Sequence, residues 1–429
     1  MERLAERVRA LPGMDALLPA LRGLPPVYLV GGAVRDLLRG ERAVDLDVAV
    51  DGDATGVARV VAERVGGDAI VHERFGTATV KAPALAVDLA TTRRERYERP
   101  GALPEVEPAP LEEDLARRDF AINAMALALS GDVLGRLIDP HAGRQDLSSG
   151  VVRVLHGASF VDDPTRLLRA VRYESRLGFR MDRDTEAAAR AAIGGDALAT
   201  VSSHRIREEL MRLLGEVEVG RAVERMTGLG LDRALHPELD PDPELVASAA
   251  LACSECGADR ALAALAALIA GRRPPPAGPA ASAAPPATLA AWVEGLGFGR
   301  SDRDRVLAAA RQASGLVGPL RAELPPSAVH ALLRCEPPET LALALAMGAP
   351  AGPVLRFLAD LRSVHLEVTG DDLIAAGLPR GPAIGATLDE LLRRRLDGEL
   401  PGGRDAELAA ARAILEGSDP VRGAGGPAP

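Results

Sequence analysis

The 429-residue chain is 47% hydrophobic and 26% charged. That is apolar matter for roughly two to four domain cores, and too much for broad disorder. A formal net charge of −10 excludes an overall basic coat for nucleic acid but allows a local basic face. With six Phe, three Tyr and one Trp, stacking of bases on aromatic platforms has little to work with.

Cys253, Cys256 and Cys335 are too few for a disulfide framework and fit a reducing compartment. The N-terminal stretch mixes charges into a helical pattern and lacks a signal-peptide core. The apolar run Ala261–Ala270 falls far short of the roughly 20 residues that cross a bilayer. A cytoplasmic protein with no membrane segment is expected. Lys81 is the single lysine, so an arginine cluster carries meaning only through its positions.

In chain order, VYLV (27–30) predicts a strand ending at Gly31-Gly32, and DLDVAV (45–50) alternates like a half-buried strand. Residues 55–67 predict a helix with a glycine stop, and LAVDLA (85–90) another alternating strand. One mixed α/β domain is expected, closing near the turn-rich stretch 139–150. Beyond about residue 160 strand signals vanish and helical patterns take over. Residues 272–287 predict a Pro/Ala-rich linker, and 417–429 a disordered tail.

Four places carry chemistry. A strand running into Gly31-Gly32 and then a helix offers backbone N–H groups to a phosphate, with Arg35 adding charge, although such turns are usually only tight turns. On a strand, Asp45 and Asp47 project from one face while Leu46 turns to the core. Paired carboxylates need a compensating cation, and Mg²⁺ suits them; Asp88 is a candidate third carboxylate. A solvated pair on an edge strand is the plain alternative. Further on, Asp119 predicts a helix N-cap with Ile122, Met125 and Leu129 as its buried stripe, beside Arg118. Finally Asp163-Pro164 predicts a helix start, followed by an arginine stripe at 166, 169, 172 and 176. In an arginine-rich chain that stripe reads first as a solvated face.

Together and in order, LVGGAVRD, DLDVAV, VDLATTRRERY, RRDFAINAMAL, LIDPHAGRQDL, DDPTRLLRAVRYESRLGF and SSHRIREELMRLL resemble the class II tRNA nucleotidyltransferase and poly(A) polymerase family. VTGDDLIAAGLPRGPAIG extends the likeness to about residue 400. The resemblance implies an α+β chain whose nucleotidyltransferase palm (1–150, a small mixed sheet with helices) precedes an all-α neck (151–225), body (226–271) and tail (288–416). It implies addition of C and A to the 3′ end of tRNA from CTP and ATP by two-metal-ion catalysis, with Asp45 and Asp47 as metal ligands. Gly31, Gly32, Arg35 and Arg118 would contact the triphosphate, and Asp119 the ribose 2′-OH. Asp162, Asp163 and Arg166 match a base-reading Glu-Asp-x-x-Arg motif, with Asp replacing Glu at 162, and Arg169 joins the nucleotide-binding set. Arg205, Glu208 and Arg212 would support the neck helix. Residues 93–113 resemble a full-length flexible loop, which favours a complete CCA-adding enzyme.

Family members that add only CC, only A or poly(A) remain the alternatives, with a non-catalytic RNA-binding protein more remote. Cys253 and Cys256 form one CxxC without a second pair, so zinc is not expected. The seven histidines include no HxxxH pair and no His-Asp dipeptide, so an added metal phosphohydrolase domain is not expected either. No protein partner is called for.

Overall fold

The computed structural model describes residues 2–41, 46–83, 85–271 and 287–415. They fall into two compact units, Met1–Pro237 and Glu238–Pro429.

The N-terminal unit begins with helices α1 (Glu2–Arg9) and α2 (Met14–Ala20), strand β1 (Val27–Val30), α3 (Gly32–Arg39) and β2 (Asp47–Val50). Then come α4 (Ala54–Val65), β3 (Asp68–His72), β4 (Thr77–Ala82) and β5 (Leu85–Thr91). Helix α4 starts where Asp53 accepts a hydrogen bond from Thr55 N and stops where Gly66 turns left-handed at φ 66°. An antiparallel ribbon of β6 (Arg93–Arg96) and β7 (Glu105–Pro108) precedes α5 (Leu111–Ala116), β8 (Ala126–Ala128) and β9 (Leu137–Ile138).

The main sheet runs β3-β4-β5-β2-β1-β8-β9, mixed because β2 and β5 are parallel whereas the other pairs are antiparallel. Alternation divides its two faces. Leu29, Val48, Val50, Val87 and Leu89 join one core with Leu17 of α2 and Val57 and Val61 of α4. Val30, Ala49 and Ala126 on the other face pack against Leu111 and Leu115 of α5. Asp47 and Asp88 stand on this second face.

Three expectations are corrected. Asp119 does not open an α-helix: a single 3₁₀ turn, Ala121–Asn123, leads into β8. Ile122, Met125 and Leu129 are buried, but strand pairing between β1 and β9 overrides the helical spacing. The stretch 139–150 contains helix α6 (Gly143–Ser149), capped by Asp139, which accepts from Gly143 N at 2.7 Å and Arg144 N at 2.9 Å. The segment 93–113 is not wholly loop: it carries the β6–β7 ribbon, whose strands are joined by residues 97–104, and the start of α5.

Before α6 sits Ala142, a non-glycine residue at φ 56°, in the left-handed region. Its Cβ costs about 1 kcal/mol there. Ala142→Gly is therefore expected to raise stability by about that amount, read as a higher melting temperature by calorimetry.

Strand β10 (Val151–Val152) precedes α7 (Ser159–Asp162) and α8 (Thr165–Leu177), and pairs with β11 (Arg180–Met181); among the described residues, this pair is the exception to helix beyond residue 150. Helices α9 (Arg183–Gly194), α10 (Ser203–Leu214) and α11 (Val219–Leu229) complete the part that bears on the site.

The C-terminal unit is helical among its described residues, from Pro243–Cys256 to Arg404–Leu415. The expected linker at 272–287, apart from Ala287 at the start of a helix, and the expected tail at 417–429 lie outside the described residues. Burial pushes the Cys253 and Cys256 thiols up to about 12 and about 11, so both are buried, protonated packing groups. Glu339 is 0% exposed; it accepts from Asp259 N at 2.8 Å and from Arg305 Nε at 3.0 Å, tying three helices together. Glu339→Ala is expected to cost about 3 kcal/mol, because it strands a partly buried guanidinium and an amide. Denaturant unfolding of the variant measures it.

Candidate active site

Asp47 of β2 lies in register with Asp88 of β5 across the parallel pair, and both residues are exposed. Thr79 Oγ1, opposite Asp88 on β4, donates to Asp88 Oδ1 at 2.5 Å. Asp45, the expected companion of Asp47, lies outside the described residues. Among the described residues no group of three His, Cys, Asp or Glu side chains is placed to hold a metal ion. Two carboxylates adjacent on one sheet face and open to a cavity are nonetheless hard oxygen donors, the kind that Mg²⁺ takes in company with phosphates.

Strand β1, hydrogen-bonded to β2, ends in the diglycine turn. Gly31 adopts φ 68°, ψ −135° as the N-cap of α3. A Cβ there would stand 3.0 Å from Arg118 Nη1, so the turn needs glycine for its backbone and for the guanidinium beside it. Two cavities of about 340 and 320 Å³ share Asp47, Arg117 and Arg118. The first is floored by Thr77, Thr79 and Asp88. The second is bounded by Gly31, Gly32 and Asp119 on the head side and by Asp163, Arg166 and Arg169 on the helical side.

Arg118 donates to Asp114 Oδ2 at 2.9 Å, and its buried Nε has no hydrogen-bond partner. Burial raises the Asp114 pKa, but Arg118 and Arg117 outweigh it and hold the carboxyl below its usual range. That keeps a charge-compensated guanidinium pair at the junction of the two cavities.

Arg35 departs from the expected phosphate contact. It is 3% exposed and does not line the cavity. It donates to Asp36 Oδ1 and Asn123 Oδ1, each at 2.8 Å, with its guanidinium 5.4 Å from the Tyr173 ring centroid. It braces the turn as a buried support.

Asp119, 9% exposed, lines the cavity with its acceptor positions already taken. Oδ1 accepts from Phe120 N at 2.9 Å and Asn123 Nδ2 at 3.0 Å. Oδ2 accepts from Arg169 Nε at 2.9 Å and Nη2 at 2.5 Å. Burial works against its charge, but Arg169 and Asn123 prevail and its pKa is lowered. Conversely burial disfavours the Arg169 charge, and Asp119, Tyr173 and Glu209 more than restore it. A ribose hydroxyl would have to displace one of these donors to reach Asp119.

On the helical side, Asp163 Oδ1 takes three donors: Thr165 N at 3.1 Å, Thr165 Oγ1 at 2.6 Å and Arg205 Nη2 at 2.8 Å. None of them engages Oδ2. Arg166, 5% exposed, donates to Ser159 Oγ at 2.6 Å and Arg117 O at 2.9 Å. Asp162 does not line the cavity; its carboxylate sits 3.9 Å from His156. The arginine stripe is not a solvated face. Arg169 and Arg172 pair with the buried Glu209 of α10 at 3.1 and 3.4 Å, and Arg176 is exposed.

Sequence reasoning passed over Glu95, Tyr97, Asn123 and Tyr173, which also line the second cavity. The first two left no alternating pattern in the sequence, since residues 93–98 (RRERYE) are charged at every position but Tyr97. On strand β6 and the two residues that follow it, Arg93, Glu95 and Tyr97 alternate with exposed Arg94, Arg96 and Glu98.

A sheet-borne carboxylate pair, a glycine turn beside a guanidinium and a carboxylate–guanidinium pair at the start of α8 surround the two cavities. Residues 27–153 match the Poly A polymerase head domain, and 178–242 the probable RNA and SrmB-binding site of polymerase A. The chain is 48% identical over 215 residues to an A-adding tRNA nucleotidyltransferase of Geobacter sulfurreducens, covering 50% of this chain and 24% of that protein. It is 33% identical over 396 residues to a CC-adding tRNA nucleotidyltransferase of Deinococcus radiodurans, covering 91% and 90%. A solved CCA-adding enzyme in an apo form superposes with TM-score 0.75 at 32% identity, covering 91% of this chain and 92% of that one. The chain spans between about a quarter and a half of the length of the first curated relatives it matches. It belongs to the tRNA nucleotidyltransferase and poly(A) polymerase family. Among the described residues no helix is long and apolar enough to cross a membrane.

Proposed function

We propose that the protein adds C and A to the 3′ end of tRNA from CTP and ATP, without a nucleic-acid template and with release of pyrophosphate. The observation that carries this reading is a single cavity bounded by Gly31-Gly32, Asp47, Arg118, Asp163 and Arg166. Triphosphate-binding and base-reading candidates from distant parts of the chain meet there.

In this reading Gly31 and Gly32 give the triphosphate its backbone seat, and Arg118 neutralises it. Asp47, with Asp45 and Asp88, would hold Mg²⁺, which when bound lowers the pKa of the RNA 3′-hydroxyl and offsets charge on the departing pyrophosphate. Thr79 fixes Asp88 by occupying Oδ1. Asp119 holds Arg169 and Asn123 at the cavity wall, and these two would meet the ribose.

Asp163 Oδ2 would accept from the exocyclic amine of C or A, and Arg166 would donate to the adjoining ring acceptor. Uracil and guanine lack that amine at the Watson–Crick position, so one pair would admit two nucleotides and refuse two. The cytoplasm, where tRNA and both triphosphates meet, is the expected compartment.

A second reading, a single-specificity A-adding or CC-adding enzyme, is favoured by Asp in place of Glu at 162 and by the relatives' specificities. The test supplies tRNA ending before CCA, and tRNA ending in CC, with CTP and ATP singly and together, and weighs the products. Conversion of the truncated tRNA to CCA with both nucleotides supports the first reading. Extension only of the CC-ended tRNA by ATP, or arrest at CC, supports the second. No extension under any condition overturns both.

A further inference from the structure

We propose that Tyr97 is a specificity-determining residue, whose phenol forms a third wall of the base pocket and accepts from the amine of the incoming base. This rests on the reading above that Asp163 and Arg166 read the base.

Strand β6 and the two residues that follow it alternate in exposure. Arg94, Arg96 and Glu98 face solvent, while Arg93, Glu95 and Tyr97 are half-buried. Of these, Glu95 and Tyr97 line the same cavity as Asp163 and Arg166. In a chain with three tyrosines, two of them, Tyr97 and Tyr173, are found in this one cavity.

The phenol is held from one side. Tyr97 OH donates to Glu95 Oε2 at 3.1 Å, and Glu95 Oε1 accepts from Arg117 Nη1 at 2.5 Å. Arg117 in turn is anchored by Asp114 Oδ1 at 2.7 Å, and its carbonyl accepts from Arg166 at 2.9 Å. The chain Tyr97–Glu95–Arg117–Arg166 thus ties the ribbon to the base-reading arginine.

A phenol has one proton and two lone pairs. With the proton donated to Glu95, the phenol oxygen keeps only lone pairs to offer a ligand in the cavity that Tyr97 lines, and acts there as an acceptor. Burial, and after it the charge of Glu95, push the phenol up to about 12, so the hydroxyl keeps its proton at neutral pH. An acceptor fixed in this way suits an amine donor, as on cytosine or adenine, and repels the carbonyl oxygen that uracil or guanine presents at the same position.

The experiment compares Tyr97→Phe, Arg166→Ala and the unaltered protein on the tRNA substrate it extends, measuring kcat/KM for CTP, ATP, UTP and GTP separately. Tyr97→Phe keeps the ring and removes the acceptor. It is expected to cut the preference for C or A over U and G by about tenfold, the scale of one hydrogen bond, mainly through the KM of the amine-bearing nucleotides.

An equal fall for all four nucleotides would mean that Tyr97 only anchors the ribbon, and would overturn the proposal. Unchanged preference in Tyr97→Phe alongside relaxed preference in Arg166→Ala overturns it too, leaving the base-reading pair intact. Unchanged preference in both variants removes the reading on which it rests. Tyr97→Leu, checked for folding by its melting curve, adds an arm lacking both ring and hydroxyl. Its preference is expected to fall at least as far as that of Tyr97→Phe, and a preference kept at the wild-type level would again overturn the proposal.

Discussion

Asp47→Ala is expected to lower nucleotide incorporation by at least about 10³-fold, which corresponds to several kcal/mol of lost transition-state stabilisation. Asp47 stands where the two cavities join, in register with Asp88 and next to the strand that ends in the diglycine turn. Asp88, in register with it on β5, already accepts from Thr79 through Oδ1. The carboxylate is exposed on a sheet face, so its removal leaves no cavity and little change in stability is expected. Binding of tRNA should stay within a few-fold, since that depends on phosphate contacts spread over a wide surface. Single-turnover incorporation measured beside a filter-binding titration separates the two. Appreciable residual turnover would remove Asp47 from the chemistry, whereas loss of tRNA binding in parallel would point to a folding defect.

Arg166→Ala is expected to relax the choice of C and A over U and G by about 10- to 100-fold, the scale of a bidentate base contact. Stability should fall as well, by about 2 kcal/mol, because Ser159 Oγ and the Arg117 carbonyl lose a buried charged donor. The two effects are separable. Ser159→Ala removes one buried partner while leaving the guanidinium at the cavity, so it should lower the melting temperature with base choice unchanged. If Arg166→Ala keeps wild-type selectivity while its melting temperature falls, Arg166 is a strut between α8 and the head, and the base is read elsewhere.

Much of the site was legible in the linear chain because short motifs encode local geometry. The apolar run at 27–30 followed by two glycines is a strand meeting a turn in any context, and Gly31 does adopt a backbone that other residues resist. Alternation in residues 85–90 sets the face on which Asp88 projects, and the structure brings it into register with Asp47. The acidic residue before Pro164 marks the start of α8 at Thr165.

What local pattern could not decide was how each polar group is spent. Arg35 and Arg118 both sit beside the diglycine turn, yet Asn123 and Tyr173 bury the first while the second lines the cavity. The arginine stripe of α8 matched a solvated face in spacing, and only the packing of α10 against it supplies Glu209, which turns two of its members into buried ion pairs. Residues 125–129 have helical spacing, but the vacant edge of β1 makes residues 126–128 a strand.

The sequence by itself determined the succession of strands, turns and helices and the residue types able to bind a nucleotide, because these depend on backbone propensity and side-chain period over a few positions. Only the tertiary structure decided which carboxylates and guanidiniums remain available to a substrate. A charged group settles wherever the nearest opposite charge lies once the chain is packed, and that partner comes from a distant segment: residue 119 pairs with 169, and 163 with 205.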